Sequence, residues 1–148
     1  MVATAQTAEL VMDDLVALDL SMIRRKLQDL DEGMGWSQDE CLEVEFDYKR
    51  YLALKRAYPD REIVPNQPVD KFWHYHILDT QKYAEDCQLV FGYFLHHYPY
   101  FGMNGPEDER ALVDAFDDTC ELYLHHFGEP YAEGRAKCRT ACKPQKCK

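Results

Sequence analysis

The chain has 148 residues, with 17 Lys and Arg against 27 Asp and Glu and a net charge of -10, which is the size of one domain able to bury a core without disulfides or a metal staple. Six of the basic residues and none of the acids fall in residues 134–148, leaving -16 on residues 1–133; this excludes a general nucleic-acid surface, because phosphate contacts need a basic face. No stretch approaches the ~20 apolar residues of a membrane span and the amino terminus has no leader pattern, so the expectation is a soluble cytoplasmic protein, with no membrane partner, whose six cysteines are thiols or metal ligands.

From about Thr7 to Leu30, Leu10, Val11, Leu15, Leu18, Met22 and Leu27 recur at three- and four-residue steps, predicting one helix that stops at Gly33 and Gly35. Ser37 and Glu40 form a capping box that opens a second helix, running to about Tyr58 and stopped by Pro59. Its apolar side carries Cys41, Val44, Tyr48, Tyr51 and Leu52, while its glutamates read as a solvated face. Residues 60–67 read as an extended connector before Pro68, which suits a first helical turn.

A third helix is expected from Pro68 to Leu78. Val69, Phe72, Trp73, His76 and Ile77 make its apolar face, so His76 looks inward. His74 lies about 160 degrees round from His76, and a regular helix therefore cannot aim both rings at one ion. Asp70 precedes His74 by four residues, a spacing that suits a carboxylate orienting or co-ligating an imidazole, or simply an acid at the positive end of a helix. Asp79 or Thr80 caps a fourth helix, expected to reach Leu95 with Tyr83, Cys87, Val90, Phe91 and Phe94 inward. Cys87 on that stripe reads first as a small buried hydrophobe.

The segment FLHHYPYFGMNGP breaks the helix, and one of His96 and His97 is expected to face in, with Tyr98, Tyr100 and Phe101 over that end of the core. Pro106 to Phe127 is the fifth helix, ended by Gly128 and Pro130, with Leu112, Ala115, Phe116, Thr119, Cys120 and Tyr123 inward. On it Glu121 precedes His125 by four residues, repeating the acid-histidine spacing. The expected fold is all-α: a single compact domain, residues 1–133, of about five helices with an irregular aromatic-rich loop, followed by a short basic tail, residues 134–148, carrying Cys138, Cys142 and Cys147.

The six histidines come as three pairs (His74 and His76, His96 and His97, His125 and His126) within 53 residues. Imidazole is the side chain most used to hold transition metals. The leading expectation is thus a metal-binding helical domain, with His76, His97 and one or both of His74 and His125 as ligands and Cys87 or Glu121 as further candidates. Zinc or iron suits imidazole plus carboxylate, and copper gains if thiols join. An open coordination position would admit hydrolytic or oxidative chemistry, although the sequence names no substrate. Two other readings stand beside it. In one the histidines are core residues and the aromatic loop and basic tail recruit an unidentified protein or small-molecule partner. In the other the tail cysteines, whose thiol pKa values neighbouring Lys and Arg lower, serve metal delivery or redox chemistry. Serine-hydrolase, phosphate-loop and dinucleotide patterns are absent, as are H-E-x-x-H and the E-x-x-H repeat of di-iron bundles.

Trp73, His74, His76, Leu78, Tyr83, Asp86 and Cys87 make up a W-H-x-H-x-L then Y-x-x-D-C stretch. With the preceding YLALKRAYP and IVPNQPVD it resembles the core of the glycine-rich domain-containing protein-like family over roughly Glu40 to Pro130. The resemblance implies a helical fold, with His74 and His76 as motif residues, and no biochemical role.

Overall fold

The computed structural model of the protein describes residues 10–131. In chain order the helices are α1 (Asp13–Val16), α2 (Ser21–Gln28), α3 (Gln38–Ala57), α4 (Gln67–Leu78), α5 (Thr80–Phe91) and α6 (Pro106–Phe127), with no strand among the described residues. The all-helical expectation holds. Cys138, Cys142 and Cys147 lie outside the described residues.

α3 is the hub, packing against α1, α2, α4 and α6, while α4 also packs against α2 and α5. Its second half buries Tyr51, Leu52, Ala53 and Leu54 in succession, so the helix is enclosed on all sides there rather than along one stripe. Ser37 caps it as its spacing predicts, Oγ accepting from the Glu40 N–H at 3.1 Å. The return half of the box differs: Glu40 Oε1 accepts from the Ser37 hydroxyl at 3.3 Å.

The helix predicted over residues 7–30 is divided. Leu18 and Leu20 are both buried, which a helix packed along one face cannot achieve two residues apart. Asp19 Oδ1 accepts from the Ser21 N–H to start α2 afresh. Lys49 stabilises the break: it is itself buried on α3 and donates to the carbonyls of Val16 at 3.1 Å and Leu18 at 2.9 Å, taking up acceptors that the end of α1 leaves open. Lys49→Met keeps the aliphatic stem and strands these carbonyls, so urea unfolding is expected to show a loss of about 1–3 kcal/mol. A loss under about 0.5 kcal/mol would mean that water replaces the ammonium at no net cost.

α5 stops at Gly92 instead of reaching Leu95. Gly92 is left-handed (φ 76°), and its N–H donates to the carbonyls of Cys87 and Gln88, a glycine ending that a β-carbon would strain. Phe94, expected inward, is 46 % exposed. Leaving the helix early lets residues 92–105 fold back towards α4. The far end of this loop is pinned by Asp108 in the first turn of α6, whose Oδ2 accepts from the N–H groups of Gly102 and Asn104.

The connector before α4 is firmly held. Tyr51 O–H donates to the Ile63 carbonyl, Thr119 Oγ1 accepts from the Val64 N–H, and Tyr131 Oη accepts from the Asn66 N–H. Asn66 then caps α4, its Oδ1 accepting from the Val69 N–H at 3.0 Å. These bonds set the position of Asp70, one turn into the helix.

Candidate metal centre

α4 is a regular helix, so His74 and His76 point to different sides and have separate surroundings. His76 is 1 % exposed and lies edge-on to the rings of Tyr48 and Tyr83. The Tyr48 hydroxyl donates to His76 Nδ1 at 2.7 Å, and His76 Nε2–H donates to Asp86 Oδ2 at 2.8 Å, the tautomer being assigned from these partners. Lys82 pairs with the same carboxylate oxygen at 3.0 Å. Burial lowers the His76 pKa and pushes the Tyr48 phenol well up, so both groups are neutral near pH 7. Both ring nitrogens are committed to other groups.

His74 faces the other way, towards the returning loop. His97, on that loop, packs its ring on Trp73 with centroids 4.2 Å apart. The two Nε2 atoms, of His74 and His97, lie 3.1 Å from each other. Asp70 completes the group: its Oδ1 is 3.0 Å from His97 Nε2, and its Oδ2 is 3.4 Å from His74 Nε2. The Asp70 side chain is wholly buried, that of His97 nearly so, and that of His74 22 % exposed. Although Oδ2 lies within ion-pair distance of His74, it is buried with no hydrogen-bond partner, because the approach lacks hydrogen-bond geometry. Burial is the main cause of a lowered His74 pKa, which leaves that ring unprotonated and able to act as a ligand.

A neutral imidazole has one N–H, so two facing Nε2 atoms and a carboxylate cannot all be satisfied by one another's protons. A cation satisfies all three. With metal–ligand distances of 2.0–2.2 Å, a tetrahedral ion separates its ligands by about 3.4 Å, close to the spacings found. Among the described residues this is the one group of three or more His, Cys, Asp or Glu side chains whose ligand atoms converge in this way.

The other expected ligands lie elsewhere. Cys87 is buried on α5 beside the Tyr83 hydroxyl and the Leu95 backbone N–H, and burial raises its pKa, keeping it a thiol. Glu121 and His125 are exposed on α6, and neither belongs to the converging group. Their neighbour His126 bonds with Tyr58 through Nε2 at 2.6 Å. His96 is exposed and packs on Phe94, so His97 is the inward member of its pair. Asp70, absent from the expected ligand set, is the residue most enclosed by the centre. Its signal was the four-residue spacing to His74.

Fold and site together define an all-helical domain with a two-histidine, one-carboxylate cluster that could hold a metal ion. The chain belongs to the UCP032817-like family, whose model matches residues 20–123, from the start of α2 through most of α6 and including Asp70, His74 and His97. This membership corrects the resemblance to the glycine-rich domain-containing protein-like family. Of the residues that carried that resemblance, Trp73, His76, Tyr83 and Cys87 are buried and Asp86 is bonded to His76, so they largely describe how α4 packs on α5. No curated protein and no solved structure matches the chain. No described helix is long and apolar enough to cross a membrane.

Proposed function

We propose that this protein binds one transition-metal ion through Asp70, His74 Nε2 and His97 Nε2, with further coordination positions open at the exposed edge of His74. The observation that carries the reading is the buried, unpartnered Oδ2 of Asp70 beside His74, on a carboxylate whose Oδ1 meets His97. A bare carboxylate oxygen is costly in a protein interior unless a cation meets it. Two imidazoles and one carboxylate suit zinc or iron(II), and three protein ligands with open positions are the composition of catalytic rather than structural centres. Copper loses the support a thiol would lend, since Cys87 does not join. A metalloenzyme is therefore the activity class favoured by this site, its substrate being unnamed by the geometry.

The test is elemental analysis of untagged protein purified without chelator. About one ion per chain is expected, lost in His74→Ala and in His97→Ala, and retained in His76→Gln and in a chain truncated after Glu133. Retention in both alanine variants, or failure to take up zinc or iron(II) on reconstitution, overturns the reading. Loss only on truncation would transfer metal handling to Cys138, Cys142 and Cys147.

A partner-binding role for the loop is the second reading, supported by the exposure of Tyr98 and Tyr100 (60 % and 56 %) next to the site. Under that reading alone, His74→Gln and His97→Gln leave partner capture intact and no metal is found.

A further inference from the structure

The residue after Asp70 is Lys71, half-buried and three positions before His74, so the two side chains are neighbours on the surface of α4. Most other buried or partly buried cations meet a carboxylate: Arg24 and Lys49 meet Glu45, Arg50 meets Glu129, Arg56 meets Asp14 and Lys82 meets Asp86, while Lys55 lies over the rings of Tyr51 and Trp73. Lys71 takes part in no ion pair among the described residues. Such a cation stands out in a body that carries -16.

The charge of the centre gives this a direction. A divalent ion held by one carboxylate and two neutral imidazoles leaves a surplus of one positive charge, and Lys71 adds a second beside it. Asp70 and His97 are closed off from solvent, whereas the His74 edge is open. Lys71, three positions before His74 on α4, borders that exposed edge along the helix surface. We infer that Lys71 and the open side of the Asp70, His74 and His97 centre together form a binding site for a small oxyanion, carboxylate or phosphate, held jointly by the ion and the ammonium. This rests on the metal reading above and names the ligand class for the same site. Lys71 acts as a specificity-determining residue in it.

Cobalt(II), which reports ligand changes through its visible spectrum, is loaded into wild type, Lys71→Gln and Lys71→Arg, and each is titrated with acetate and with inorganic phosphate at constant ionic strength. Equal cobalt stoichiometry in all three chains is expected. The wild-type spectrum is expected to shift saturably with at least one anion. Lys71→Gln raises the apparent Kd about tenfold or more, and Lys71→Arg recovers most of the affinity. The anion that binds more tightly tells carboxylate from phosphate. A saturable shift with the same Kd in Lys71→Gln, or no shift in wild type, overturns the role of Lys71 and leaves the metal reading standing. Failure of cobalt to bind overturns both.

Discussion

Asp70→Asn is expected to abolish ion uptake while leaving the metal-free protein as stable as wild type or more so. The two halves have opposite signs because they test different properties of one carboxylate. Without an ion, the Asp70 side chain is wholly buried and Oδ2 has no hydrogen-bond partner, so its charge is a cost carried by the fold. Asparagine has the same shape: its carbonyl can take the place of Oδ1 beside His97, and its neutral amide removes the buried charge, at about 1 kcal/mol in favour of the variant. With an ion the order reverses, since an amide is a poor substitute for an anionic ligand, and affinity falls by more than about 100-fold. Thermal melts with and without zinc read both effects. Wild type gains stability with zinc, by about 4 kcal/mol when the free ion is 1,000 times its Kd, and Asp70→Asn gains none. A variant that melts earlier without metal yet still responds to zinc would make Asp70 a structural acid held by His97 and would move the centre elsewhere.

The parts of the fold that local chemistry decides were legible in the sequence. Pro106 and Gly128 bracket α6, and Ser37 and Pro59 bracket α3, because a cap or a proline acts within a turn of its own position. The division of the first helix was not legible, because its cause, the Lys49 ammonium, comes from a residue on another helix. Periodicity in Leu10 to Leu27 cannot report a partner that arrives from elsewhere in the chain.

The site divides in the same way. His74, His97 and the Asp70 spacing were visible as residues, but their convergence depends on the chain leaving α5 at Gly92, and continuing that helix to Leu95 sends the loop along a different path. The apolar-face argument placed His76 inward correctly. Facing inward is also what gives both its nitrogens to Tyr48 and Asp86. The converging group instead lies on the polar flank of α4, where a carboxylate and an imidazole one turn apart meet a ring brought back by the loop.

That separation yields the other large effect. His76→Ala is expected to cost about 3–5 kcal/mol of stability, measured by urea unfolding, while the folded fraction keeps its ion. The imidazole is 1 % exposed and fills space between Tyr48 and Tyr83, so truncation opens a cavity in a core with little freedom to collapse. It also strands the buried Tyr48 hydroxyl, whereas Asp86 keeps Lys82. Tyr48→Phe removes only the donor to His76 and is expected to cost about 1 kcal/mol. In the double variant that cost largely disappears, because the hydroxyl has no acceptor left to lose, giving a coupling of about 1 kcal/mol or more between the two sites. His76→Gln supplies the remaining control, restoring a polar group of similar reach with a smaller loss of stability. If His76→Gln folds fully but loses the ion, His76 belongs to the centre after all. If the Tyr48 and His76 effects simply add, the hydrogen bond between them contributes nothing to stability, and the cost of His76→Ala is packing alone.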